Sequence, residues 1–313
     1  MDNIKKLGLT ALAGSMVATA ASSAELSATG SWALSYTSED SDVVNGQAFT
    51  AGNSVTFAGS GELDNGWTAS MSYELDDDTM DDYSLTLDMG DAGVFKYGES
   101  VSGSGIDIAS NMVPAVDTAI YSAVGTDTTA YGVSRSAADT GNLGYTLTLD
   151  GGLKISAEMA RATAANGGGN DNTFGVTYTG VDGLTLAAGA GEVNRNNGSG
   201  GVDSTTFGVK YATGGWTIGV SLTEVDHGAS GTQDEDGTHM GVTYNVNDDV
   251  SIGYVRQETD FSGAKADEEH SGFQASYSMG SISFSGRVSS LDNAAGTAGA
   301  SDSDKHITMS IAF

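Results

Sequence analysis

Two residue types that shape many proteins are nearly missing from this chain of 313 residues, which has no cysteine and one proline, Pro114. Without cysteine the chain can form no disulfide and offers no thiol nucleophile, so backbone pairing and packing must hold it together. Proline cannot donate to the hydrogen-bond ladder of a sheet, and its scarcity beside 45 glycines is typical of a chain made of strands and turns. These shortages favour an all-β protein.

Basic residues are also scarce. Lys and Arg number 12 against 41 Asp and Glu, which gives a net charge of −29. Such a field repels nucleic acid and concentrates cations near the protein, so we expect no nucleic-acid partner. The charge carries no information about the fold.

Long apolar runs are absent after the N-terminus, where no stretch approaches the roughly 18 consecutive apolar residues of a membrane helix. Residues 1–24 have the composition of a secretory signal peptide: Lys5 and Lys6, an apolar stretch over residues 7–20, and small residues before Glu25. We therefore expect export and a mature domain of residues 25–313, in which 40 acidic residues face 10 basic ones. An exported chain rich in strands is either a soluble β-protein or a membrane barrel.

Sixteen short runs alternate an apolar with a small polar residue, from the run that holds Trp32 and Tyr36 to the run that ends at Phe313. Short, one-sided alternation of this kind is the signature of barrel strands. Aromatic residues lie near both ends of the runs, where a membrane barrel would meet the two membrane interfaces. Two such rows are not expected in a soluble β-sandwich. The pattern predicts an all-β transmembrane antiparallel β-barrel of 16 strands, wide enough for an aqueous channel.

The links between the runs alternate in length. Short turns rich in Gly, Asn and Asp, such as residues 64–66, alternate with longer polar links such as residues 37–52, 76–82 and 226–237. An antiparallel barrel with tight turns at one end and long loops at the other requires this alternation. The predicted links follow it without exception. Residues 129–135 could pass for a seventeenth strand, which would break the alternation, so we assign them to a link.

The longest link, residues 98–141, follows the fifth run and contains the single proline. A loop of this length inside a compact domain is usually functional or disordered. We expect this insert to fold into the mouth of the barrel and to narrow it, with a disordered surface loop as the alternative.

Three features together resemble the general diffusion porins of Gram-negative bacteria, most of all the short 16-stranded porins of alphaproteobacteria. They are the leader, the rhythm of 16 strands with its longest link after strand five, and the closing residues 305–313, which end in an aromatic residue. The resemblance implies a homotrimer in the outer membrane among lipid and lipopolysaccharide, a third loop folded into each pore, and passive diffusion of small hydrophilic solutes. Those porins often oppose acids on this loop with arginines on the far wall, but here the inward bases are few and mostly lysine.

The selectivity of a pore arises at its narrowest charged ring. The acidic side of that ring is predicted to comprise Asp107, Asp117 and Asp127 on the insert, with Glu99 and Asp139 at its ends. Strand parity places further charges on the lumen face: Lys96, Lys154, Lys210, Arg287, Glu62, Glu74, Asp88 and Glu158. The excess of acids predicts a preference for cations, and the alternative is that these are ordinary solvated charges.

No cofactor is expected, apart from a candidate Ca²⁺ site in the link after the third run. The five acids of that link are Asp76, Asp77, Asp78, Asp81 and Asp82. Ca²⁺ takes six to eight oxygen ligands, which such a cluster could supply in part, although plain solvated charge explains it equally well.

We expect the protein not to be an enzyme, because no nucleophile, base and orienting group can be found together and the four histidines are scattered. Two other functions stay open. One is a substrate-selective channel, and the other is a closed barrel that serves as a structural or adhesive anchor.

Overall fold

The computed structural model describes residues 25–41, 45–76, 79–99, 101, 103–109, 111–117, 141–160, 170–193, 201–228 and 233–313. The predicted leader, residues 1–24, lies outside them. The strands are β1 Glu25–Ser41, β2 Asn45–Glu62, β3 Thr68–Asp76, β4 Thr79–Asp88, β5 Val94–Gly98, β6 Asn142–Leu149, β7 Leu153–Ala160, β8 Asp171–Val181, β9 Leu184–Val193, β10 Val202–Thr213, β11 Trp216–His227, β12 Glu235–Asn245, β13 Val250–Phe261, β14 Glu268–Met279, β15 Ile282–Asp292 and β16 Ser301–Ala312. Short 3-10 helices lie at Gly90–Ala92, Gly105–Ala109 and Ala294–Gly296. In this part of the chain no helix has the length and apolarity needed to cross a bilayer.

The sixteen strands form one closed antiparallel barrel in which each strand pairs with its neighbours in sequence and β1 pairs with β16. At the seam, Phe313 and Gly30 exchange two backbone hydrogen bonds of 2.7 and 2.9 Å. Closure gives each wall strand a partner on both sides, which is the condition for a sheet to span lipid. The predicted 16-stranded barrel is confirmed.

The two faces of the wall differ as the alternation predicts. On β11, Ile218 and Leu222 point outward and are about half exposed, while Ser221 between them points inward and is buried. Outward aromatic rings meet across neighbouring strands near both ends of the wall. The centroids of Trp216 and Tyr244 lie 4.5 Å apart at the short-turn end, and those of Tyr254 and Phe273 lie 4.8 Å apart towards the loop end.

The strands run further than the apolar runs. β1 and β2 take up most of the predicted link of residues 37–52 and leave only residues 42–44 between them, while β3 and β4 leave only residues 77–78. The prediction that long and short links alternate without exception is therefore wrong at these two places, although the strand parity is unaffected. Ladder hydrogen bonds need no apolar side chain, so pairing continues past the hydrophobic band. Residues 129–135, which we assigned to a link and not to a seventeenth strand, lie outside the described residues.

The β1–β2 hairpin extends beyond β3, the second strand that pairs with β2. β2 pairs with β1 along nearly its whole length, but its ladder with β3 begins only at Ser54. Residues 45–52 therefore have no β3 partner among the described residues, and none of them is charged or proline. Phe49 on this edge is 74% exposed and packs on Tyr36 with the ring centroids 5.0 Å apart.

A matched pair of substitutions tests the assignment of the two faces. Ile252 pairs with Ala275, midway between the two aromatic rows, and points outward. Ile252→Arg should lower the free energy of unfolding by about 2–4 kcal/mol, because it places a charge at the lipid midplane. Ser276→Arg should have little effect, since this neighbouring side chain shares the inward face with Gln274. Urea unfolding in lipid vesicles measures both, and equal losses would contradict the assignment.

Candidate functional site

The described part of the long insert lies inside the barrel. After β5 ends at Gly98, the chain turns inward, and Val101, Ile106, Met112 and Val113 become buried. The sequence had marked this segment by its length and its single proline, and not by these apolar residues. The expectation that the insert enters the barrel is confirmed for residues 101, 103–109 and 111–117.

The insert is first held against β7 and β8. The backbone N–H of Gly105 donates to Ser156 Oγ at 2.9 Å, and that of Ile106 donates to Thr173 Oγ1 at 3.1 Å. Both hydroxyl side chains point inward from the wall and are almost fully buried. Within the insert, Asp107 Oδ2 accepts a hydrogen bond of 3.2 Å from the Gly103 N–H, so this carboxylate closes a turn.

The middle of the insert is held by a base of the wall. Lys210 Nζ on β10 donates to the carbonyl oxygen of Asn111 at 2.8 Å. The neighbouring Met112 packs beside Gly208 of the same strand, and Met112 and Ala109 form a small buried cluster with Ala187 of β9. The predicted lumen lysine is thus bonded to the insert.

The last described residues of the insert before residue 141 are held by β14, β15 and β16. Gln274 Oε1 accepts hydrogen bonds from the backbone N–H groups of Val116 and Asp117 at 2.6 and 2.7 Å. Arg287 pairs with Asp117 at 3.2 Å and with Asp304 at 2.8 Å, and each of the three side chains is less than one-tenth exposed. Ser289 Oγ also donates to the Asp304 carboxylate. This buried cluster anchors the insert to the wall ten strands beyond β5.

The path of the insert follows the wall instead of crossing the lumen. From β6 to β15 it passes ten strands, and at a spacing of about 4.8 Å their axes span roughly 43 Å. A segment as long as residues 101–117 reaches at most about 56 Å when fully extended. Its contacts meet these strands in order, so the described part of this segment lines the inner wall as a belt. Residues 101, 103–109 and 111–117 are called the belt from here on.

The structure brings some of the predicted constriction residues together and separates others. Asp117 and Arg287, predicted as opposing groups of the ring, form one ion pair. Glu158 is buried on β7 beside Gly105 of the belt. Lys96 and Lys154 lie half-buried on β5 and β7.

The remaining members of that ring lie elsewhere or outside the described residues. Glu99 follows β5, where its carbonyl oxygen accepts a hydrogen bond of 3.2 Å from Asn142 Nδ2. Asp127 and Asp139 lie outside the described residues. The role of these residues in a selectivity ring therefore stays a prediction.

The charged residues on the inner wall that the belt leaves uncovered are mainly acids. Glu74 of β3 lies directly opposite Asp82 of β4, and Glu39 of β1 lies directly opposite Asp304 of β16. Asp302 is on the same face of β16 as Asp304. Register and alternation place all five on the lumen face, where Asp304 is already buried in the anchor with Arg287. The predicted Glu62 and Asp88 belong to the same inward face of β2 and β4.

Sequence reasoning missed Gln274 and Asp304, which hold the far end of the belt. Both occupy inward positions, many of which hold Ser, Thr or Gly on other strands. A long polar or a charged residue at such a position was the available signal, because such a side chain needs a partner when it is buried on the lumen face.

The candidate calcium ligands are only partly described. Asp76 ends β3, and Asp81 and Asp82 lie on β4, while Asp77 and Asp78 fall outside the described residues. Within the described ranges, no group of three or more His, Cys, Asp or Glu side chains is arranged to hold a metal ion. The calcium site stays a prediction.

The sequence of this barrel matches a known protein family. The family model described as Gram-negative porin matches residues 8–308. The chain belongs to this family. This porin is therefore a channel protein of the outer membrane of a Gram-negative bacterium. No curated protein is significantly similar to the chain in sequence.

Solved structures share the fold of this porin at low sequence identity. A loop L8 deletion mutant of OmpT, an outer membrane protein of Vibrio cholerae, has a TM-score of 0.69 and 14% identity over 93% of this chain and 99% of its own. The anion-selective porin from Comamonas acidovorans has a TM-score of 0.69 and 13% identity over 93% and 100% of the two chains. A mutant of the Rh. blastica porin has a TM-score of 0.66 and 14% identity over 92% and 100%.

The anchor of the belt predicts an ordered series of stabilities. Arg287→Gln should lower the free energy of unfolding by about 3–5 kcal/mol, because it leaves two buried carboxylates without their cation. Asp117→Asn should cost less, since Arg287 keeps Asp304 as a partner. Lys305→Gln, on the outward face of β16, should be close to neutral. Urea unfolding in detergent micelles gives the three values, and equal effects of the first two would contradict the shared anchor.

Proposed function

We propose that the protein forms a water-filled channel through which small hydrophilic solutes and ions diffuse passively, without a catalytic step. The observation that carries this proposal is the path of the belt along one side of the wall. On the other side, inward hydroxyl groups of β1 and β2, such as Ser31 and Ser60, remain exposed. A barrel of 16 strands is too wide for side chains to fill, so a lumen lined in this way holds water.

We also propose that the channel prefers cations. Two of the inward bases are already engaged, Lys210 by the belt and Arg287 by two carboxylates. Glu74, Asp82 and the other acids that register places on the lumen face lie where the belt does not cover the wall, and a ring of acids attracts cations. The fold alone does not decide the sign, since the similar Comamonas acidovorans structure is described as an anion-selective porin.

Recordings in planar bilayers under a KCl gradient test both proposals. The wild-type protein should give a steady conductance and a reversal potential that indicates cation preference. The double variant Glu74→Gln with Asp82→Asn should lower the cation-to-anion permeability ratio roughly twofold, because it removes two lumen charges. The matched control is Glu224→Gln with Asp236→Asn, a directly opposed pair on the outward face, which should leave the ratio unchanged.

The same recordings separate the alternatives. A closed structural or adhesive barrel would pass no current, and a substrate-selective channel would show saturable block by its ligand. Anion preference of the wild type would overturn the proposed selectivity while leaving the channel itself in place.

We propose a homotrimer, in which the free edge of β2 lies between subunits. A similar solved structure, OmpT of Vibrio cholerae, is described in a trimer form. The supporting observation in this chain is the uncharged edge of residues 45–52, because an edge without charge or proline is a template for pairing with another chain. Contacts with lipid and lipopolysaccharide belong to the same proposal.

Two exposed phenylalanines provide the test of this interface. Phe49 on the β2 edge is 74% exposed, and Phe273 on β14, four strands away around the closed barrel, is 71% exposed. Phe49→Ser should lower the temperature at which the detergent-resistant trimer dissociates, whereas Phe273→Ser should not. Gel mobility after graded heating measures this temperature, and equal effects of the two substitutions would argue against the interface.

A further inference from the structure

The belt lies on a row of glycines. Seven of the eight strands from β6 to β13 each have an inward glycine beneath the belt, and the exception, β7, presents Ser156 and Glu158 there. The row consists of Gly144, Gly175, Gly189, Gly208, Gly219, Gly241 and Gly253. Gly175 lies directly opposite Gly189, and Gly219 directly opposite Gly241. Gly208 and Gly253 each lie two residues along the strand from the position opposite a neighbouring glycine.

A side chain on any of these glycines would meet the belt. A Cβ atom built at six of them would approach belt atoms more closely than 3.0 Å, a distance that real Cβ atoms essentially never show, and at Gly253 it would lie 3.0 Å from Val116. The atoms that they meet follow the belt in chain order. They belong to Ser104, Gly105, Ile106, Met112, Pro114 and Val116.

Backbone conformation does not explain these glycines. None of the seven has a positive φ angle, so an L side chain would suit the backbone at each position. An outward glycine of the wall, Gly286, provides the contrast, since its Cβ would make only ordinary contacts at 3.4 and 3.8 Å. Glycine inside a strand often marks the close approach of another backbone, and here that backbone is the belt.

We propose that this glycine row sets the calibre of the pore. Without side chains on the wall, the belt lies directly on the strand backbones and leaves the largest open lumen. Each added side chain would press the belt inward, because the buried anchors at Ser156, Thr173, Gln274 and Arg287 prevent it from leaving the wall altogether. The proposal rests on the proposed channel function and adds the residues that determine its size.

The effect should depend on which belt atom lies above each glycine. Over Gly219 the closest atom is the backbone carbonyl oxygen of Met112, which cannot rotate away, so the belt itself must move. Over Gly189 the closest atom is Ile106 Cγ1 at 2.6 Å, which belongs to a side chain that can be shortened. The two positions therefore differ in whether a second substitution can relieve the contact.

Single-channel conductance in planar bilayers tests the proposal. Gly219→Ala should lower the conductance roughly 1.5-fold or more, because it narrows the section that limits ion flow. Gly286→Ala should leave it unchanged. Gly189→Ala should also lower it, and Ile106→Ala in the same chain should restore it, a coupling that arises only if the two side chains compete for the same space.

The outcomes separate this proposal from the channel function. If the wild type conducts but folded Gly219→Ala conducts equally well, the glycine row does not set the calibre. If Gly219→Ala fails to fold, the conductance of Gly189→Ala, measured with and without Ile106→Ala, tests the proposal instead. A loss of conductance that Ile106→Ala does not restore overturns the proposal. A wild-type protein without conductance would instead overturn the proposed channel.

Discussion

The whole structure depends on one constraint, the pairing of backbone N–H and C=O groups within lipid, where no water can satisfy them. The sixteen strands meet it by closing into a cylinder, with the last strand returning to the first and Phe313 bonded to Gly30. Once the wall has no edge within the bilayer, its two faces can differ completely. Apolar and aromatic side chains take the outside, and small polar ones take the inside.

A cylinder of this width leaves a space that its own side chains cannot fill, and the insert after β5 occupies part of it. The belt has no strand ladder of its own. Inward side chains of the wall satisfy its backbone instead, chiefly Ser156, Thr173, Lys210 and Gln274. The inner face of the wall therefore has two kinds of position: hydrogen-bonding side chains that hold the belt, and glycines that make room for it.

The same arrangement governs the electrostatics of the lumen. Arg287 lies between Asp117 of the belt and Asp304 of the wall, so its charge is compensated at the anchor. Acids on the uncovered wall, such as Glu74 and Asp82, have no such role in holding the belt. Since two of the few bases hold the belt, carboxylates outnumber the remaining bases on the described part of the lumen face.

The sequence by itself determined the strand number, the sidedness of each strand and the existence of a long insert, because alternation and turn composition are local properties. It misjudged how far β1 and β2 extend, because ladder pairing does not depend on apolar residues. Only the tertiary structure decided which charges meet: Asp117 and Arg287 are 170 residues apart, and nothing local distinguishes a paired aspartate from a pore-lining one. The sequence likewise shows the glycines of the row, but not why they are needed. Their role depends on the belt, a segment distant in sequence, because the residues that pack against a position set the space for its side chain.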